Sequence, residues 1–204
     1  MKQSQSNADK VRLSLFDHSG NWSKFYRDNG YTVYQVDLKF GDDIMLYDYK
    51  QHNNVYGILA APPCTVFTKA GNMYWKLWND NGRTNTHKEI IYKTLEIIEY
   101  FKPKFWCIEN PPGRLDTIIP ELKKYRLLYV QPYQFGDGYS KNTVLWGVFN
   151  PFLLQAPVNF KKATNITSSI DLFYNIDKLK FKKRSSFRNI TPLGFSLSFF
   201  NANT

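Results

Sequence analysis

Apolar residues occur along this chain mainly in short runs bounded by turn-formers, and only one stretch carries a sustained helical period. Val11-Arg12-Leu13-Ser14-Leu15-Phe16 reads as a strand, closed by the turn-prone Asp17-His18-Ser19-Gly20-Asn21. Trp22 to Asn29 fits a short helix, with Asn21 as its N-cap and Gly30 at its C-terminal end. Tyr31 to Asp37 and Val55 to Ala60 follow as strands. Thr86-His87-Lys88-Glu89 has capping-box spacing, and behind it Ile90, Ile91, Leu95, Ile98 and Phe101 mark a helix that Pro103 stops. Phe105-Trp106-Cys107-Ile108 is a buried strand broken by Glu109-Asn110-Pro111-Pro112-Gly113, and Leu127 to Tyr133 and Thr143 to Phe149 are further strands. Residues 69–83, rich in Gly, Asn, Trp and Lys, show no clean period and read as a long active-site loop.

Strand, helix and strand in repeated order predict an α/β fold, a largely parallel sheet with helices on both faces. Residues 1–10 read as a flexible tail and residues 11–204 as a single domain, whose pattern becomes irregular after Asn150-Pro151. In such a sheet the loops after Phe16, Ala60 and Ile108 share one rim, the carboxyl edge where open α/β sheets bind ligands. That rim gathers Asp17, His18 and Ser19, then Cys64, then Glu109 and Asn110. Proline fixes φ and lacks an N–H, so Pro62-Pro63 ends the strand abruptly and holds Cys64 on a stiff turn. A thiol there suits a nucleophile, though a small core cysteine has the same local signature. Asp37 ends the second strand where an acid accepts hydrogen bonds from a ribose, or stands as a surface carboxylate. Glu109 is a partner for the thiol or a strand-end cap.

Composition narrows the classes. The 204 residues suit one domain with a sizeable core, and no apolar run approaches the roughly 18 residues of a membrane span. Two cysteines, Cys64 and Cys107, with no CxxC partner, make a disulfide framework improbable and fit a reducing compartment. His18, His52 and His87 are scattered, so no metal site is expected. A net charge of +10 and a pI near 9.5 favour polyanions. The charge concentrates between 150 and 190: Lys161, Lys162, Lys178, Lys180, Lys182, Lys183, Arg184 and Arg188 face only Asp171 and Asp177. Phe160, Phe173, Tyr174, Phe181 and Phe187 are interleaved, so the stretch reads either as a phosphate-contacting, base-stacking segment or as a solvated loop with anchoring aromatics.

In order along the chain, these residues resemble the S-adenosylmethionine-dependent DNA cytosine-5 methyltransferases. Leu13-Ser14-Leu15-Phe16-Asp17-His18-Ser19-Gly20 resembles the family's cofactor loop, Val36-Asp37 the ribose-holding acid, and Gly41-Asp42-Asp43-Ile44 the following Gly-Asp-Ile. Pro62-Pro63-Cys64 resembles the nucleophile loop, Glu109-Asn110 the Glu-Asn pair, and Phe135-Gly136 through Gly147 the arginine-bearing segment. The likeness is closest to short phage and prophage methylases, with Ile108-Glu109-Asn110-Pro111, Phe135-Gly136-Asp137 and Thr191-Pro192-Leu193-Gly194-Phe195. His18 and Asn21 stand where the family has glycines, Thr65 where it has Gln, and Tyr139, Lys141 and Thr143 where it has Gln, Arg and Arg.

The resemblance implies a Rossmann-like methyltransferase fold and methyl transfer from S-adenosyl-L-methionine to C5 of cytosine in DNA. Cys64 would be the nucleophile, with Glu109 and Lys141 beside it. Phe16, Asp17, Ser19, Gly20, Asn21, Trp22, Asp37, Leu38, Asp42, Asp43 and Pro62 would hold the cofactor. Lys69, Lys161, Lys162, Lys180, Lys182, Lys183 and Arg184 would face DNA. Only about forty residues separate Gly147 from Thr191, so no large target-recognition domain is expected, which suggests broad specificity or a partner subunit. The cytoplasm of a bacterial or phage-infected cell is the expected location, without membrane association. A catalytically inactive binding module on the same fold, or methylation of another base or of RNA, are the alternatives.

Overall fold

A computed structural model describes residues 6–158 and 189–204. Six strands form one sheet: β1 (Val11–Leu15), β2 (Thr32–Val36), β3 (Val55–Ala60), β4 (Phe105–Asn110), β5 (Arg126–Val130) and β6 (Thr143–Val148), in the order β2-β1-β3-β4-β6-β5. β1 pairs in parallel with β2 and β3, and β3 with β4, while β6 runs antiparallel to both β4 and β5. The sheet is therefore mostly parallel, as the sequence predicts, with β6 reversed. β5 and β6 are joined by residues 131–142, which hold a 3-10 turn (Pro132–Phe135) and no crossover helix, as an antiparallel pair allows.

Five α-helices are found among the described residues: α1 (Lys24–Asp28), α2 (Trp75–Asp80), α3 (Arg83–Phe101), α4 (Leu115–Ile118) and α5 (Leu193–Ala202). Strand residues alternate between two cores, as a period of two requires. Ile58, Trp106, Ile108 and Trp146 face one side with Ile91, Ile97 and Ile98 of α3 and Leu115 of α4. Leu59, Phe105, Cys107 and Leu145 face the other, with Tyr26 of α1 and Phe195 and Phe199 of α5. Burying each such side chain contributes roughly 1.5–3 kcal/mol.

Several expectations change. The first helix begins at Lys24 behind Ser23 rather than at Trp22 behind Asn21, because Trp22 is drawn into the second core. α3 begins at Arg83, after Gly82 at φ +78, so Thr86 and Glu89 lie inside the helix rather than capping it. The expected loop over 69–83 folds as a 3-10 turn (Lys69–Tyr74), α2 and the start of α3. Within the expected tail, Asn7–Asp9 form a 3-10 turn, with the Asn7 amide donating to the Asn29 carbonyl.

Candidate active site

The carboxyl ends of the parallel strands open onto a cavity of about 260 Å³. Phe16, Ser19, Asp37 and Leu38 line one side, and Pro62, Cys64, Glu109 and Lys141 the other. Eight of the residues nominated from sequence thus share one space.

On the nucleophile side, β3 ends at Ala60 and the prolines follow. Half-buried Cys64 opens a closed turn: its carbonyl accepts from the amides of Phe67 (2.9 Å) and Thr68 (3.0 Å). The loop after β4 is laced to this turn. Asn110 Nδ2 donates to the Pro62 carbonyl (2.9 Å), and the Lys69 amide donates to the Pro112 carbonyl (3.1 Å). Gly113 packs so closely that a Cβ on it would lie 1.8 Å from the Phe67 oxygen. Only glycine fits there.

Glu109 sits near the end of β4 and is 7% exposed. Lys141 Nζ lies 3.3 Å from its Oε1, and Thr143 donates to the same oxygen at 3.4 Å. Lys141 Nζ also reaches the Ile190 carbonyl (3.5 Å), and its backbone amide donates to Gln131. A buried carboxylate with a cation in contact is protected against the cost of desolvation. Lys141 is thus the cation in contact with Glu109.

On the other side, the chain leaves β1 with Phe16 at φ +61, a left-handed conformation that costs about 1–2 kcal/mol for a residue with a Cβ. Asp37 begins a 3-10 turn (Leu38–Phe40) and accepts the Lys39 amide at 2.9 Å while facing the cavity. His18 and Ser19 of the same loop also line the cavity, whereas Asp17, Gly20 and Asn21 do not. Asp17 is buried, accepting from the hydroxyls of Ser14 (2.8 Å) and Ser23 (2.9 Å) and the Ser23 amide. Burial pushes its carboxyl up, and those hydrogen bonds oppose the shift. The Gly20 carbonyl accepts from Arg27 (2.6 Å), the Asp17 carbonyl from Gln35 (2.6 Å), and Asn21 donates to the Thr191 carbonyl.

Trp22 is corrected outright. It is 0% exposed and packs against Phe195 and Phe199, so it supports the loop from beneath and cannot touch a ligand. Asp17, Gly20 and Asn21 serve the loop's own hydrogen bonds and do not line the cavity. Asp42 and Asp43 also lie outside the lining, and Asp43 accepts the Met45 amide instead. Lys69 is exposed just beyond the Cys64 turn. Lys161, Lys162, Lys180, Lys182, Lys183 and Arg184 lie outside the described residues.

The sequence reading missed His18 as a lining residue; its ring packs on Phe40 with centroids 5.2 Å apart. It also missed Thr143 as a partner of Glu109, and Arg114, whose Nε donates to the Val66 carbonyl. Pro-Pro-Gly before Arg114 was the available signal, since a glycine after two prolines marks close backbone approach. Among the described residues no group of His, Cys, Asp and Glu could hold a metal, and no helix is long and apolar enough to cross a membrane.

A "Probable DNA (cytosine-5)-methyltransferase" of Frog virus 3 (isolate Goorha) is 30% identical over 132 residues, 57% of this chain and 60% of the viral one. Among solved structures, the methyltransferase EhMeth of Entamoeba histolytica is 16% identical with a TM-score of 0.47, covering 81% of this chain and 60% of its own. The Dnmt2 methyltransferase of S. pombe is 15% identical with a TM-score of 0.45, covering 87% and 58%. The chain therefore spans about three fifths of the length of each of these relatives. Residues 16–118, half of the chain, match the family described as C-5 cytosine-specific DNA methylase, and the matched stretch holds both Cys64 and Glu109: the chain belongs to that family.

Proposed function

We propose that the protein transfers a methyl group from S-adenosyl-L-methionine to C5 of cytosine in DNA through a covalent adduct on Cys64. The observation that carries this reading is the shared cavity, with Cys64 on one hydrogen-bonded turn, Glu109 near the end of the strand bound to it, and Asp37 across from both.

The donor set suits the cofactor. Asp37 offers a carboxylate to a ribose diol, and Leu38 and Pro62 offer apolar surface to a flat ring. When bound, S-adenosyl-L-methionine supplies the electrophilic methyl group that C5 takes up. Cys64, having given its proton to solvent, adds as thiolate to C6 of the cytosine. Glu109, having taken up a proton from solvent, gives it to N3, so the electrons of the C5=C6 bond become available at C5. Lys141, in contact with Glu109, stabilises the carboxylate that this proton leaves behind. Loss of the C5 proton to solvent then re-forms the double bond and expels the Cys64 thiolate, and Glu109 recovers its proton from N3. The base must first leave the duplex or arrive single-stranded, since C6 is shielded within the stack. Lys69 and the basic stretch between 150 and 190 supply phosphate attraction, and sequence selection falls to broad specificity or a partner subunit.

Nucleoside mass spectrometry on DNA incubated with the protein and S-adenosyl-L-methionine tests the reading. New 5-methylcytosine with wild type and none with Cys64→Ser is the expected result. A different methylated base discards the cytosine mechanism, and turnover retained by Cys64→Ser discards the nucleophile.

A further inference from the structure

We infer that Arg114 is a positioning residue that sets where Cys64 stands relative to Glu109. The inference rests on the function proposed above, in which Cys64 is the nucleophile. Arg114 does not line the cavity, and its bonds to the Cys64 turn are to backbone carbonyls, so its part is geometric.

The two carbonyls that leave the turn, Val66 and Phe67, both end on Arg114. Its Nε donates to the Val66 oxygen at 3.0 Å, and its backbone amide donates to the Phe67 oxygen at 2.8 Å. Because the Phe67 amide itself donates to the Cys64 carbonyl, these bonds run in series from residue 114 to residue 64. Arg114 in turn lies four residues beyond Asn110, whose side chain holds the Pro62 carbonyl on the other flank of Cys64. The nucleophile is thus gripped before and after by the end of β4, which carries Glu109, and by the segment that follows it.

The far side of the guanidinium is anchored as well. Nη2 donates to Thr84 Oγ1 in the first turn of α3 (3.1 Å), and the cation stands 4.7 Å from the Trp75 ring at the start of α2. A planar fork with fixed donor directions can serve a carbonyl, a hydroxyl and a ring at once, and a lysine ammonium cannot. Arg114 is 9% exposed, so solvent does not replace these partners when they are lost.

The test compares wild type with Arg114→Lys and Arg114→Met in single-turnover methylation and in alkylation of Cys64 by iodoacetamide, where buried Cys107 serves as the internal control. The expected result is a fall in kcat of tenfold to a hundredfold with KM changed less than twofold, the size of loss that a misplaced reacting group produces. Arg114→Lys should recover only part of it. Cys64 alkylation should become at least threefold faster in both variants, because the turn no longer holds the thiol half-buried. Wild-type kcat in either folded variant overturns the inference. If wild type methylates nothing, the proposed function fails and alkylation alone decides: equal Cys64 rates in wild type and Arg114→Lys overturn the positioning role, and a faster rate upholds it. Should Arg114→Met fail to fold, Arg114→Lys carries the test.

Discussion

The two walls of the cavity are built by different means. Around Cys64 the contacts are largely backbone to backbone: two prolines, a glycine with no room for a Cβ, and carbonyls answered by amides of the facing loop. Around residues 16–22 they are largely side chain to backbone, with Arg27, Gln35 and Ser23 holding a loop that has His18 and Asn21 in place of glycine. The Cys64 wall tolerates few substitutions at its prolines and glycines or at Asn110 and Arg114, the two side chains that clamp its carbonyls. A wall held by side chains can exchange its loop residues provided the props are kept.

Substitutions can break this contrast, and the largest effect is expected below the second wall. Trp22→Ala should cost about 3–5 kcal/mol in denaturant unfolding, the range for truncating a buried tryptophan. Trp22→Phe should leave cofactor affinity within twofold, and a larger loss would put the indole back in contact with ligand. Gly113→Ala should cost about 1–3 kcal/mol by overpacking and should lower methyl transfer about a hundredfold, since the Cys64 turn must move. Arg27→Met should weaken cofactor binding, measured by calorimetry, while Cys64 alkylation stays at the wild-type rate; a change in alkylation would show that the walls are coupled. Asp37→Asn should weaken cofactor binding by about tenfold, near 1.4 kcal/mol, and Asp42→Asn should not.

The smallest effect is a pH slope. Burial, with Glu109 nearby, holds the Cys107 thiol well above its ordinary value of 9.0. The unfolded chain releases that proton near pH 9 and the folded chain does not, so stability falls as pH rises past about 9. The contribution approaches about 1.4 kcal/mol per pH unit. Cys107→Ala should flatten the alkaline limb of the stability curve by that one proton, and an unchanged limb would show that Cys107 ionises freely in the folded state.

Much of the nucleophile wall was legible because its signals are local. Two prolines after an apolar run can hardly continue a strand, and β3 ends at Ala60 as that pattern predicts. β1, β2 and β4 also begin within a residue of their expected positions. The other wall was less legible because its determinants are distant in sequence. Trp22 follows a polar turn and looks available to a ligand, yet residues 195 and 199 decide where it points. The same holds for residues 75–80, where Trp75 under Arg114 and Thr84 at the head of α3 support a helix that has no periodic apolar stripe. The reversed β6 escaped notice because strand patterns carry no direction.

The docking of α5 has a consequence for how the protein is made. The hydrogen bonds described above for the Cys64 turn all come from residues up to 114, so that turn can close while the ribosome is still extending the chain. Trp22 waits for Phe195 and Phe199, and the Tyr26 hydroxyl for the Asn203 carbonyl 177 positions later. At roughly 5–20 residues per second, the aromatic underside of residues 22–26 stays uncovered for about 10–35 s after its synthesis. Through that interval the nascent chain offers Trp22 and Tyr26 to chaperones, and the Cys64 turn can close before the loop opposite it has its support.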